Sequence, residues 1–406
     1  MKIYRVILGA VAGALVLLFS GCGAEPTAPT AAVEESAMPQ FEDGRYRGIY
    51  GDRGDQQVSI QFHLVDGVLQ DISFRHLYHS GIDYRQLEEG AIEYPVWLQH
   101  QQVVTHLEGR TVDAIADLKN PGDFVDDIDG YSGATIRGAK IYSAIRDGLN
   151  RGLYAPSGEL NREIGSYPDG RFRGIYGDRG EQQVAVQFEL EGNTIRNVEY
   201  RQLYHSGNNY RTMSDDNPMY PVLIQHRQIA SHLEGKPLSA IFDLFAPGEF
   251  VDDIDGYSGA TVRGAKLFSA FRDGLNRGLY TPAGDVSREI GSYPDGRYRG
   301  IYGDRSEQQV SVQFNLSNNT IRDVSFRHLF YNGNDFRNMD NDDPLYPVVQ
   351  QHEQIVQYLE GKPLSAMFDL YTPGSFIDDI DGYSGATVRG NKVLSAMMDG
   401  LNRGLY

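Results

Sequence analysis

The chain has one cysteine, Cys22. A lone cysteine makes no internal disulfide, no iron–sulfur cluster and no cysteine-type zinc site. It also excludes the Cys-x-x-Cys-His attachment of a haem. Positive charge is scarce too, with 37 Lys and Arg against 55 Asp and Glu, a net charge of −18. So acidic a surface repels a phosphate backbone and excludes a nucleic-acid role. The first apolar run, Val6–Phe19, is too short and wrongly flanked for a membrane-spanning helix.

That run belongs to a targeting pattern. Lys2 and Arg5 make a basic start, and the run ends in Phe19-Ser20-Gly21-Cys22. Small residues before a cysteine resemble a bacterial lipoprotein cleavage site. Residues 1–22 are therefore expected to be a lipoprotein signal peptide, with lipid on Cys22. Residues 23–42 are rich in Ala, Pro, Thr and Glu without apolar periodicity, as in a flexible tether. The expected location is the bacterial cell envelope, lipid-anchored and extracytoplasmic.

The rest of the chain is built on repetition. The heptapeptide Asp-Gly-Tyr-Ser-Gly-Ala-Thr occurs at Asp129–Thr135, Asp255–Thr261 and Asp381–Thr387. The differences 261 − 135 and 387 − 261 are both 126. Three repeats follow, 43–154, 169–280 and 295–406, joined by linkers 155–168 and 281–294. Both linkers end Arg-Glu-Ile-Gly-Ser-Tyr-Pro, and short similar linkers suggest a regular linear array.

Within a repeat, Val58, Ile60, Phe62 and Leu64 alternate with polar residues, as in a half-buried strand. Asp66-Gly67 signals a hairpin, Ile72 and Phe74 continue the return strand, and Tyr46 and Ile49 mark a preceding one. A polar loop holds Tyr78, His79, Ser80, Gly81, Tyr84 and Arg85. Pro95 then opens a helix with Val96, His100, Val103 and Leu107 on its buried face. After the motif, Ala139, Tyr142, Ile145 and Leu149 fall at helical spacing. The expected class is α+β: three tandem repeats, each an antiparallel sheet packed with helices.

The motif suits a phosphate. Small residues permit close backbone approach, and Thr135 falls at the N-cap of the following helix. A helix N-terminus offers free N–H groups and partial positive charge to an anion. Asp-x-x-Ser-Gly-Ala-Thr also resembles the signature of the FMN-binding domain family, found in flavin subunits of sodium-pumping NADH:quinone reductases and related electron-transfer complexes. In that family a flavin transferase joins FMN through its phosphate to the threonine hydroxyl. The resemblance implies that role for Thr135, Thr261 and Thr387. It implies a transferase-recognition role for Asp129, Asp255 and Asp381. The same role falls to Ser132, Gly133 and Ala134, to Ser258, Gly259 and Ala260, and to Ser384, Gly385 and Ala386. Two departures stand out: Arg137, Arg263 and Arg389 replace the family's frequent Ser or Thr, and the Glu-Thr-Pro-Gly segment is missing. An arginine there can pair with a phosphodiester.

The loop bearing Tyr78 and Arg85 has counterparts in Tyr204 with Arg211 and Phe330 with Arg337. It reads equally as a flavin contact, with a stacking ring and a cation, or as a plain surface loop. His100, His226 and His352 read as hydrogen-bonded core residues.

Two other motifs fail. Gly130–Ala134 nearly matches a nucleophile elbow, but no His follows Ser132 within its repeat and none follows Ser384. Asp126–Gly130 hints at a calcium loop, but Ile136 stands where the ligating Glu belongs. A weak Mg²⁺ site in this acidic stretch stays open, and no dedicated metal site is expected. The sequence thus points to an electron carrier, rather than a stand-alone catalyst, holding up to three FMN. The implied partners are a flavin transferase, an electron donor and an acceptor. The alternatives are a non-covalent FMN module and a flavin-free lipoprotein scaffold.

Overall fold

Strand β2 (Gln56–Val65) carries Val58, Ile60, Phe62 and Leu64, and all four are buried. Its antiparallel partners are β1 (Gly44–Asp52) and β3 (Val68–His79). The β2–β3 turn is Asp66-Gly67, with φ of 52° and 74°. Positive φ at both central residues is what a tight hairpin of matching twist needs. The computed structural model describes residues 41–52, 56–126, 138–178, 182–252, 264–304, 308–331, 333–377 and 390–406. All of them fall in one compact unit, Gln40–Tyr406.

Strand β3 runs further than the sequence suggests. Tyr78 and His79 are its last residues, and β4 (Ile82–Asp83) folds back on them in the register Tyr78↔Asp83. Ser80-Gly81, also at positive φ, makes that turn. The expected polar loop is therefore partly strand. Helix α1 (Tyr94–Leu107) has Pro95 in its first turn, where the missing N–H is harmless. Val96, His100, Val103 and Leu107 are buried on it as the periodicity predicts. Two 3-10 stretches, Val112–Lys119 and Pro121–Asp123, lead towards the motif, and α2 (Gly138–Arg151) follows it. The short β5 (Ala155–Pro156) completes a sheet of order β4-β3-β2-β1-β5.

The pattern recurs twice. Strands β6 (Gly170–Asp178), β7 (Gln182–Glu191), β8 (Thr194–His205), β9 (Asn208–Asn209) and β10 (Thr281–Pro282) form the second antiparallel sheet. Helices α3 (Tyr220–Leu233) and α4 (Gly264–Arg277) accompany it. The third set is β11 (Gly296–Asp304), β12 (Gln308–Ser317), β13 (Thr320–Tyr331), β14 (Asn334–Asp335), α5 (Tyr346–Leu359) and α6 (Gly390–Arg403). The class is α+β.

A glycine lets each sheet touch its second helix. A Cβ on Gly48 of β1 would lie 1.8 Å from the Ala144 carbonyl oxygen and 2.4 Å from the Gly148 nitrogen. Gly174 and Gly300 stand in the same relation to Ala270 and Ala396. Backbone meets backbone there, and no side chain fits between.

Three sets of contacts close the molecule on itself, and this overturns the expected linear array. Arg151 at the end of α2 bonds its own Asp147 and reaches Asp273 of α4 at 3.0 Å. Arg277 does the same to Asp399 of α6 at 3.1 Å, and Arg403 returns to Asp147 at 3.0 Å. An asparagine cycle runs beside it. The amide of Asn276 donates to the Asn150 carbonyl, that of Asn402 to Asn276, and that of Asn150 to Asn402. The linkers are built in too: Leu160, Ile164 and Tyr167 pack on the second core, and Ile290 and Tyr293 on the third. Closure explains the burial of α2. Ile145 and Leu149 are buried as expected and Ala139 and Tyr142 only half so, while Lys140, Asp147 and Arg151 are buried as well. The helix is covered by its own sheet on one side and by both other helices of the ring.

Candidate functional site

The three motif segments, 129–135, 255–261 and 381–387, lie outside the described residues. So do Arg137, Arg263 and Arg389, the acidic residues Asp127 and Asp129, and Cys22 with the rest of the targeting segment. The structure instead defines the supports on either side of each motif.

On the incoming side, α1 grips the chain. Gln102 accepts from the Asp126 amide at 3.0 Å and donates to its carboxylate at 3.1 Å, while Gln99 donates to its carbonyl at 3.3 Å. Gln228 and Gln225 hold Asp252 in the same way. Just before, Phe124 stacks on His106 with centroids 3.8 Å apart, and His106 meets the Asp117 carboxylate at 2.9 Å. The second repeat matches this with Phe250, His232 and Asp243. In the third, Tyr358 takes the place of the histidine: it stacks on Phe376, and its hydroxyl donates to Asp369 at 2.6 Å.

On the outgoing side the helix start is wedged against the 3-10 stretch. A Cβ on Gly138 would fall 1.9 Å from the Leu118 carbonyl oxygen, with the same fit at Gly264 and Gly390. The described residues that border segments 127–137 and 253–263 are thus held on both sides. The third residue of each helix is a buried lysine: Lys140, Lys266 or Lys392.

Each lysine has a histidine within electrostatic range. His100 is buried, and its Nδ1 lies 2.7 Å from the Val96 carbonyl oxygen. That contact requires a proton on Nδ1, so the neutral ring keeps a bare acceptor at Nε2. Burial pushes its pKa down to about 4, the carbonyl bond opposes this, and the Lys140 charge adds to the fall. His226 with Lys266 and His352 with Lys392 share the same geometry and direction. These are hydrogen-bonded core histidines, as the sequence suggested, but each also lies within electrostatic range of a buried lysine.

The predicted contact loop is placed as follows. Tyr78 is half-buried on β3, opposite Gln57 and Asp83. Arg85 is taken up by Asp83 through a two-point ion pair at 3.1 and 2.8 Å. Burial raises the Asp83 pKa, but the Arg85 bonds outweigh it and hold the carboxyl below its usual range. Arg211 donates to the Arg201 carbonyl, and Arg337 to that of Arg327. Phe330 is buried, whereas Tyr204 is half-buried. All three arginines are engaged locally.

One acidic cluster invites a metal reading. Asp147, Asp273 and Asp399 bring carboxylate oxygens within 4.8 Å of one another. Each already accepts from two guanidinium groups and a strand amide; for Asp147 these are Arg151, Arg403 and the Ile49 N–H. Three arginines balance three aspartates, so the ring carries no net charge to attract a cation. Burial raises the Asp399 pKa, but Arg403 and Arg277 pull it below the usual range overall.

No family model matches the chain, and no curated protein or solved structure matches it. The sequence reading missed the buried lysines, the Gln99–Gln102 grip and the Asp–Arg ring. For the ring residues a signal was present: Asp147-Gly-Leu-Asn-Arg151 recurs unchanged at 273–277 and 399–403. Surface charge has no reason to repeat so strictly at one spacing.

Proposed function

We propose that the protein is an envelope-tethered electron carrier with one FMN on each repeat, attached through the flavin phosphate to Thr135, Thr261 and Thr387. The observation that carries this reading is the setting of the motif. Three times, the Ser-Gly-Ala-Thr segment precedes a helix with a buried lysine in its first turn and a neutral imidazole within electrostatic range of that lysine. Helix N–H groups and a desolvated ammonium together make an environment that favours a phosphate. An uncharged histidine in the same shell leaves that positive potential to the lysine and the helix end. Bound flavin supplies the electron chemistry, and the chain supplies position and charge.

The partners under this reading are a flavin transferase, an electron donor and an electron acceptor. A lipid on Cys22 holds the carrier at an extracytoplasmic membrane surface, on the periplasmic side or at the cell surface. A covalent link suits that location, where free FMN is lost by diffusion.

The test is the intact mass of the denatured mature protein after expression with a flavin transferase. Three added FMN phosphoesters are expected, falling by one with each of Thr135→Ala, Thr261→Ala and Thr387→Ala. Flavin that leaves on denaturation points to a non-covalent module. Colourless protein of unmodified mass overturns the reading in favour of a flavin-free scaffold.

A further inference from the structure

The ring gives its three sheets matching edges, but the described residues fill only two of them. Outside β1 lies Ala155-Pro156, in the register Arg45↔Ala155 and Gly44↔Pro156. Outside β6 lies Thr281-Pro282, in the register Arg171↔Thr281 and Gly170↔Pro282. Outside β11, among the described residues, no strand pairs, and the third sheet has four strands where the others have five. The β11 edge is otherwise built the same way. Tyr406 donates its N–H to the Arg297 carbonyl at 2.7 Å, as Tyr154 does to Arg45 and Tyr280 to Arg171. Gly296 has φ of 140°, against 150° at Gly44 and 139° at Gly170. A Cβ on Gly44 or Gly170 would lie 2.7 or 2.8 Å from a carbonyl oxygen of the fifth strand, whereas on Gly296 its nearest neighbours all belong to Leu405.

An open edge is a template for another extended segment. The two linkers show what fits it. Each opens with Ala-Pro or Thr-Pro, and proline suits an outer strand because it has no N–H to leave unpaired. An apolar residue follows four places after the proline, another four further on, and an aromatic three beyond that: Leu160, Ile164 and Tyr167, then Val286, Ile290 and Tyr293. These residues are half-buried against the second or third core. The sequence ahead of the first repeat has the same order, Ala28-Pro29, Val33, Met38 and Phe41, with one extra residue between Val33 and Met38. Phe41 is half-buried. The Tyr46 hydroxyl donates to the Glu42 carbonyl at 2.6 Å, as Tyr298 does to Pro294, so the chain enters the first repeat as the second linker enters the third. One difference is met locally. Arg162 and Arg288 of the linkers pair with Asp243 and Asp369, whereas Asp117 takes Arg110 of its own repeat at 3.6 Å.

We propose that the outer edge of β11 is the docking site of the chain's own segment 28–40, which serves as a third linker, with Ala28 opposite Arg297 and Pro29 opposite Gly296. That segment lies outside the described residues; its sequence pattern and its length support the assignment. Tyr167 stands 12 residues after Ala155, and Phe41 stands 13 after Ala28. The Arg403–Asp147 contact sets the third repeat against the first as Arg151–Asp273 sets the first against the second. The span is therefore the one that the first linker covers. Docking replaces the flexible tether expected from composition, and it is independent of the flavin reading.

The experiment uses the full chain with Cys22→Ser, so that added cysteines have no competitor. Ala155→Cys with Arg45→Cys, a pair that lies opposite across the β1 edge, calibrates disulfide formation. Ala28→Cys with Arg297→Cys should oxidise to an intramolecular disulfide at a comparable rate. Ala24→Cys with Arg297→Cys, four residues out of register, should be slower by about tenfold or more. Equal rates for the two positions mean a loose tether and overturn the proposal. Disulfide-linked dimers from Ala28→Cys with Arg297→Cys put a second copy on the edge and overturn it too. A second measurement needs no cysteine. Val33→Ser with Met38→Ser should lower the melting temperature, because both side chains leave the apolar surface that the linkers use elsewhere. An unchanged melting temperature overturns the proposal and leaves the β11 edge to another protein or to solvent.

Discussion

The Arg403 guanidinium lies 3.0 Å from the Asp147 carboxylate, across 256 residues of chain, and both groups are buried. This contact joins the last helix to the first. It repeats the Arg151–Asp273 and Arg277–Asp399 contacts and turns a tandem array into a ring. Removing one partner of a buried pair strands the other charge and costs about 3–5 kcal/mol. Arg403→Met should therefore destabilise the chain by that amount in urea titration, and Arg151→Met should cost the same. In an open array the terminal change would be much milder. A harmless Arg403→Met beside a damaging Arg151→Met would rule out closure.

The contact of Gly48 with α2 makes a second, sharper prediction. The Ala144 carbonyl, 1.8 Å from a Cβ at Gly48, is backbone and cannot rotate away. Gly48→Ala should force strand and helix apart and cost about 3 kcal/mol or more, at the upper end of overpacking. Gly148→Ala meets backbone only at 3.0 Å and should cost less. Thermal denaturation of the two variants checks the order. Gly67→Ala, with open space around it but φ of 74°, should show only the backbone cost of about 1 kcal/mol.

Local structure was legible because local rules decide it. The alternation on β2, the Asp66-Gly67 turn and the stripe on α1 each follow from one period or one turn residue. The β3–β4 hairpin was obscured because polar Tyr78 and His79 read like loop, although Ser80-Gly81 supplies the turn. Closure was hidden for a different reason. It depends on Arg151 finding Asp273, a partner set by the packing of whole helices, and sequence spacing carries no sign of that. The motif residues drew attention through chemistry, whereas their supports, Gln99, Gln102 and Lys140, look like ordinary helix-surface residues until the fold buries or engages them.

The incoming grip predicts its own phenotype. Gln102→Ala and Gln228→Ala each remove a two-way clasp on the residue that leads into a motif, Asp126 or Asp252. Two exposed bonds, one from the backbone amide and one to the carboxylate, are worth about 1–2 kcal/mol together, so the fold should survive. Under the proposed function, flavin loading at Thr135 and Thr261 should fall in the respective variant while loading at the other two sites holds. Site-resolved mass of proteolytic peptides reads this directly. Undiminished loading would show that the clasp serves the fold only.

The three buried histidines fix the acid limit of stability. Each has its pKa lowered from 6.5 to about 4, mainly by burial. Between those values the unfolded chain holds a proton on each histidine that the folded chain does not. Stability therefore rises with pH across this window and falls on acidification, by up to about 1.4 kcal/mol per pH unit for each histidine. The ring carboxylate Asp399 acts in the same direction but lower, because its pKa is depressed from 3.8 and its contribution is lost only as pH drops through that region. Urea midpoints should hold near neutrality and decline from about pH 6.5 towards 4. His100→Gln should take about one third of that slope away, and the same change at His226 and His352 should remove most of the rest. An unchanged slope in the triple variant would show that the histidines are not its source.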